Sequence, residues 1–383
     1  MKKILIALAT LASAASLTGC SDSGSVGGNT AATEEGAASH RIYHPLSVAL
    51  HNVTGAPGTL LRILNENDTL TTCTASTSGE LSGCSVQMLK DANAVYQMVT
   101  NPRTGSLYFL QYDTDSVLVC DGSQGLLSSC APAAGGGSLD APSFMALNAD
   151  GTIAYLANEN DTLAVCQVAE NGTFSSCTAT NMNGTLETPV GVALATGGYG
   201  THAYLLNGET KSVITACTLA PSGMPSACQA QNNEFFTAPT TMAFSPNGQY
   251  AYIGNFDDNM AICRIGADAS LSSCHAVDTG GRELFAGIQE IAVDAAGTNA
   301  YVVNARNSSI THCKLTAEGA DFTECSPYSI EGFELTTDLA LYQHAGLSSL
   351  FVASLYNDSV YGCALDANGA LTGDCVATHF PEQ

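Results

Sequence analysis

Fourteen of the fifteen cysteines fall into seven close pairs, and their spacing constrains the fold more than any other feature of the chain. The pairs are Cys73/Cys84, Cys120/Cys130, Cys166/Cys177, Cys217/Cys228, Cys263/Cys274, Cys313/Cys325 and Cys363/Cys375. The first cysteines of successive pairs stand 46 to 51 residues apart, the period of a four-stranded propeller blade. Aligned on that cysteine, each copy shows four short apolar runs separated by turn chemistry. In residues 241–277 the first run stops at Pro246-Asn247-Gly248 and the second at Asn255-Phe256-Asp257-Asp258. The third run carries Cys263 and the fourth Cys274. The expected fold is all-β: a seven-bladed β-propeller of four-stranded antiparallel blades.

Further columns support the alignment. Three residues before the first cysteine, every copy has an apolar residue, and two residues after it none has a polar one. These offsets differ by an odd number, so the third strand presents apolar side chains on both faces, as stacked blades require. Five residues before the cysteine stand Asp68, Asp115, Asp161, Ser212, Asp258, Ser308 and Asp358. Asp and Ser close turns by bonding nearby backbone N–H groups, which places this column between strands two and three. Copy one starts near Leu46 and copy seven ends near Ala377, each complete in sequence order. A ring of this kind needs no strand exchanged between its ends.

Within a pair, the midpoint is a turn: Asn171-Gly172 for Cys166/Cys177, Ser222-Gly223 for Cys217/Cys228, Ser78-Gly79 for Cys73/Cys84. Asp268-Ala269, between Cys263 and Cys274, is the one midpoint without glycine. Symmetric placement about a hairpin turn sets the two cysteines opposite each other, with Cα atoms about 4.5 or 5.5 Å apart and within disulfide reach. One cross-strand disulfide per blade is expected, and seven equivalent, buried pairs read as staples and not as redox-exchange centres. No CxxC occurs and no histidine recurs with the pairs, so neither a metal site nor a cofactor is expected.

Residues 1–19 read as an export signal: Lys2 and Lys3, an apolar segment, then small residues. The Leu17-Thr18-Gly19-Cys20 sequence resembles a bacterial lipobox, which implies cleavage before Cys20 and lipidation of its thiol. Ser21 at the following position favours an outer-membrane destination. Residues 20–39, rich in Gly, Ser, Ala and Thr, read as a tether reaching on the order of 25 Å, and residues 40–383 as the propeller. Export also supplies the oxidising compartment that disulfides need.

The chain carries 11 Lys and Arg against 35 Asp and Glu, a net charge of −24. A surface so acidic repels polyanions and excludes nucleic acid as a partner. It also disfavours docking on anionic lipid, leaving the lipid anchor as the membrane contact.

The segments AYLANENDTLAVC, AYIGNFDDNMAIC and AYVVNARNSSITHC resemble the YVTN-type repeats of lactonase-like bacterial β-propellers, a group of lactone hydrolases and of surface or periplasmic proteins. That resemblance implies the fold and, as one functional option, a lactonase-like hydrolase. The paired cysteines depart from its usual pattern. The chain has no Trp, which removes the WD, Asp-box and tryptophan-docking signatures of other propellers and weakens a carbohydrate-binding reading.

Candidate site residues come from the crossings between blades, because a single site must break the ring symmetry. Phe235 and Phe236 precede blade 5, Arg282, Glu283 and Phe285 precede blade 6, and Phe333 precedes blade 7. Exposed Phe beside charged residues would form a patch for another envelope protein. The resulting expectation is a monomeric, lipid-anchored binding or scaffolding module of the cell envelope. A catalytic constellation is not expected, since Arg282, Glu283, Arg306 and His51 share no spacing that ties them together.

Overall fold

A computed structural model of the chain describes Ile42 and residues 44–378 other than 53–58, 112–113, 124–125, 134, 209–211, 345–346 and 374. Residues 1–19, read as an export signal, and residues 20–39, read as the lipidated cysteine and tether, lie outside the described residues. Among the described residues, twenty-eight strands form seven antiparallel sheets of four, each built from consecutive strands. The blades span residues 45–88, 95–133, 142–180, 189–232, 239–276, 288–329 and 336–378. Blade 7 contains only C-terminal strands and blade 1 only N-terminal ones, so no strand is exchanged. Ile42, fully buried, packs against Phe351, Ala353 and Val360 of blade 7 as well as Ile63 of blade 1.

The apolar cores lie between blades, where the third strand is buried on both faces, as its sequence columns require. All seven expected disulfides are present, each within its own blade: Cys73–Cys84, Cys120–Cys130, Cys166–Cys177, Cys217–Cys228, Cys263–Cys274, Cys313–Cys325 and Cys363–Cys375. Two details differ from the sequence expectation.

The first is distance. The paired Cα atoms stand 4.0 to 4.3 Å apart in every blade, whether or not the ladder slips, and it slips by one residue at the first cysteine in blades 1, 2, 4, 5 and 6. In those blades the residue before the second cysteine (Gly83, Ser129, Ala227, Ser273 and Glu324) has a positive φ, the signature of a bulge that swings the following side chain inward. Blade 3 has no slip there, and its cysteines pair directly.

The second is burial, where the expectation of buried pairs needs correcting. The first cysteine of every pair is buried, but Cys84, Cys130, Cys177, Cys228, Cys274 and Cys375 are only half-buried, and Cys325 alone among the second cysteines is enclosed. The reason is their strand. The third strand is covered on both faces, whereas the fourth is the outer edge of the blade, with much of its length open to solvent. Each disulfide therefore runs from the inter-blade core to the rim.

The Asp/Ser column does lie between strands two and three, but its hydrogen bonds are not local. Asp68, Asp115, Asp161, Asp258 and Asp358 each accept from a backbone N–H just ahead of the next blade, at Val95, Ala141, Thr188, Gly287 and His44 respectively, over 2.6 to 3.0 Å. Ser212 and Ser308 receive Ala238 and Leu335 at 3.2 and 3.0 Å. The column is a set of seven inter-blade latches, and Asp358 closes the ring.

A second set of ties comes from the AY-x-x-N strand. The hydroxyls of Tyr108, Tyr155, Tyr252 and Tyr301 donate to the carbonyls of Gly172, Gly223, Gly319 and Gly369, in the outer hairpin of the following blade. Arg62 occupies the same position in blade 1 and donates to Gly122. The asparagines ending those strands fasten the crossing that feeds their own blade: Asn255, for example, accepts from Thr237 N–H and donates to Phe235 C=O, both at 3.0 Å.

Candidate functional site

The expected Phe patch is not on the surface. Phe236, Phe285 and Phe333 are 2%, 3% and 7% exposed and belong to the inter-blade cores. Phe235 is half-buried against the same core as Phe236, and Phe333 sets its ring against that of Tyr361 at 4.6 Å. The reason is the asparagine pin: by gripping the backbone beside Phe235 and Leu284 it folds each crossing down, and the crossing's apolar side chains plug the top of the seam. Arg282 and Glu283 are exposed as expected. Arg282, however, is spent on the Cys325 carbonyl at 2.9 Å within blade 6. Arg306 pairs with Asp258 and lies over the Phe256 ring at 5.3 Å. His51 is half-buried at the far end of an inner strand, its pKa lowered by burial and then by Arg62. These residues do not converge.

What does converge is the start of the seven inner strands. They surround a cavity of about 450 Å³ in the axis of the ring, opening on the face of the inter-blade latches, where Phe256, Ala305 and Leu335 join its wall. Aligned strand by strand, the third inner-strand position holds Ser47, Gln97, Phe144, Gly191, Thr241, Glu290 and Asp338. The fourth and fifth positions repeat as apolar residues, whereas this one changes in every blade. It places two carboxyls side by side, on blades 6 and 7, both lining the cavity.

Both carboxyls have their pKa raised, chiefly by desolvation in the channel wall, and Asp338 adds a like charge that raises Glu290 further. Asp338 is held by two backbone donors: Val48 N–H across the closing seam at 2.9 Å and Leu339 N–H at 2.7 Å. The Ile291 N–H and the Thr241 hydroxyl near Glu290 offset part of the rise in its pKa. The lining contains no Lys, Arg or His, so no cation in the wall offsets the pair. Sequence reasoning missed these residues because Gln289-Glu290 and Thr337-Asp338 look like ordinary solvent-facing positions of an edge strand. The signal that could have found them is the one variable column in an otherwise repeating strand.

The wall is lopsided. In a ring of seven, the point opposite the seam between blades 6 and 7 is blade 3, whose third position is Phe144. Met98 and Val190, from the blades flanking it, also line the cavity. One arc of the mouth therefore carries both carboxyls, and the opposite arc, where Phe144, Met98 and Val190 line the wall beside Tyr96, Gln97 and Ser143, carries no charge. Among the described residues no group of three or more His, Cys, Asp or Glu is arranged to hold a metal ion.

No family model matches the chain, and no curated protein matches it. Solved structures do. The chain is similar to a periplasmic gluconolactonase of Pseudomonas aeruginosa (13% identity, 87% of this chain and 95% of that one, TM-score 0.62). It is also similar to a putative 6-phosphogluconolactonase of Bacteroides fragilis (15%, 87% and 95%, 0.59) and to the hydrazine synthase of Kuenenia stuttgartiensis (14%, 90% and 100%, 0.61). Matches that cover nearly the whole of both chains at such identities define a class: the seven-bladed propeller to which lactonase-like proteins belong. They speak for the fold, which agrees with the YVTN-type repeats.

Proposed function

We propose that the protein is an exported propeller that binds a small molecule, uncharged or cationic, at the mouth of its central channel. The observation that carries this reading is the cavity itself: about 450 Å³, walled by all seven inner strands, holding two carboxyls and no lining cation. A phosphorylated or carboxylate ligand would meet uncompensated negative charge there. Seven disulfides, the signal-like first nineteen residues and the lipobox-like cysteine support a place in the cell envelope, lipid-anchored through Cys20 and facing an oxidising compartment. Among the described residues no helix is long and apolar enough to cross a membrane. Burial of Phe236, Phe285 and Phe333 takes from a protein-scaffold role the contacts that recommended it.

A hydrolytic variant of this reading rests on Glu290 and Asp338. A carboxyl kept protonated near neutrality serves as a general acid, and a neighbour that ionises first serves as its base. The name of one similar structure, a periplasmic gluconolactonase, makes a neutral sugar lactone the natural substrate to try. The test is a thermal-shift and NMR titration with gluconolactone and 6-phosphogluconate, on the wild type and on Thr240→Trp, which fills the cavity. Binding of uncharged compounds that is lost in Thr240→Trp is expected. Tight binding of the phosphorylated compound, or binding indifferent to the Trp, would contradict the proposal. Lactone turnover abolished by Glu290→Gln would select the hydrolase.

A further inference from the structure

The channel mouth has the polarity of a receptor for an organic ammonium ion. Resting on the reading of the channel as the ligand site, we infer that its ligand carries a cationic amine at one end and an apolar body at the other. The amine is seated between Glu290 and Asp338 and the body against Phe144.

Several independent features point the same way. The two carboxyls lie on adjacent inner strands, in a wall without a basic residue. Two carboxyls in a desolvated wall cannot both ionise without repelling each other, and a cation placed between them takes the place of the shared proton and donates hydrogen bonds to both. An uncharged ligand offers no such gain, and an anion makes matters worse.

Seven-fold geometry then puts Phe144 diametrically across the mouth from the pair. Met98 and Val190 flank it, and all three line the cavity. A π-face and aliphatic neighbours accept the hydrocarbon part of an amine, and an aromatic ring is also attractive to an alkylammonium that passes over it. The arrangement is set by sequence at one strand position, since Glu290, Asp338 and Phe144 are members of the same repeat column.

The rim does not oppose a cation either. Arg306, the basic residue beside Phe256 at the mouth, is paired with Asp258 and donates to the Phe256 carbonyl at 3.2 Å. The net charge of −24 draws cations toward the molecule as a whole. The cavity, about 450 Å³, has room for a phenylalkylamine.

The test uses three probes of one shape: 2-phenylethylamine, 2-phenylethanol and phenylacetate, titrated by calorimetry into the disulfide-bonded propeller. The amine is expected to bind at least tenfold more tightly than the alcohol, with no binding of phenylacetate. Glu290→Gln should remove most of that preference while leaving alcohol binding unchanged, and Phe144→Ala should weaken amine and alcohol together. Glu290→Gln should keep the wild-type melting profile at neutral pH, and Phe144→Ala, whose ring also packs against the core between blades 3 and 4, is titrated at a temperature where its own melting profile shows it folded, so that a loss is read as a loss of recognition. Equal binding of amine and alcohol would overturn the ammonium assignment and leave the channel site standing. Binding of none of the three, or a preference that survives Glu290→Gln, would overturn it as well, and the former would also count against the channel as a ligand site.

Discussion

The seam that closes the ring and the seam between blades 4 and 5 do the same job with different means. At the closing seam, Asp358 receives His44 N–H, Asp338 receives Val48 N–H and the Thr337 hydroxyl donates to the Pro45 carbonyl. Gly362 and Gly79 bring two backbones into direct contact, as Gly197 and Gly248 also do between blades 4 and 5, and Phe351 stands where Tyr108, Tyr155, Tyr252 and Tyr301 latch in other blades. Between blades 4 and 5 the corresponding positions are Ser212, Gly191, Val190, Ala216 and Ala269. Tyr204 and His202 are buried there with no partner for the phenol oxygen or for either ring nitrogen. Gln231 and Gln229 tie the outer edge, accepting from Leu271 N–H at 2.7 Å and donating to Asp268 C=O at 3.5 Å. The lesson is that the closing seam adds to the Asp latch it shares with four other seams a second carboxyl acceptor, Asp338, at the position where the seam between blades 4 and 5, joined by continuous chain, has Gly191.

The largest way to break this comparison is Gly362→Ala. A Cβ there runs into the Gly79 backbone, and neither side is a flexible side chain. A loss of about 3 kcal/mol or more is expected in urea unfolding. Next in size is Asp358→Ala, expected to cost about 1–3 kcal/mol because it strands the His44 N–H. Ser212→Ala, its counterpart at the other seam, should cost about half as much, since a neutral acceptor is lost. Equal costs would erase the distinction between the seams.

A pH series tests the acidic arc. The folded-state pKa of Glu290, and that of Asp338, lie above their unfolded values. The folded protein therefore holds protons that the unfolded chain gives up. This contribution to stability is complete below the unfolded values and lost as pH rises through the folded ones. Between roughly pH 5 and pH 9 the melting temperature should fall, by the equivalent of about 1–2 kcal/mol, and Glu290→Gln should flatten the curve. The smallest effect sharpens the comparison. Tyr155→Phe should cost about 1 kcal/mol by stranding the Gly223 carbonyl, whereas Tyr204→Phe, which removes a hydroxyl that bonds nothing, should be neutral or slightly stabilising.

Much of this architecture was legible in the cysteines. Their period gave seven blades, their turn-centred spacing gave the disulfides, and the completeness of each copy gave a ring without strand exchange. Pairing was legible where burial was not: Cys84, Cys130, Cys177, Cys228 and Cys375 lie opposite their partners as the turns require, yet only the stacking of blades leaves the fourth strand at the rim. Nor could the residues reveal where a side chain finds its partner in a neighbouring blade. Asp68 and its counterparts look like closers of their own turns, and only the ring brings the next blade's N–H to them. Phe235, Phe236, Phe285 and Phe333 sit in polar crossings and read as exposed, but exposure was decided by how Asn255, Asn304 and, before blade 7, Ser354 fold those crossings back. Glu290 and Asp338 were hidden in a different way, because an inner strand alternates like any half-exposed strand. Nothing local tells that its outer face is a channel.

A structure of the propeller with 2-phenylethylamine bound tests the central claim most directly. The amine nitrogen should lie within hydrogen-bonding distance of the Glu290 and Asp338 carboxyls, with the phenyl group packed toward Phe144. An amine found on the outer surface, or seated in the channel with its nitrogen turned toward Phe144 and away from both carboxyls, would contradict the account.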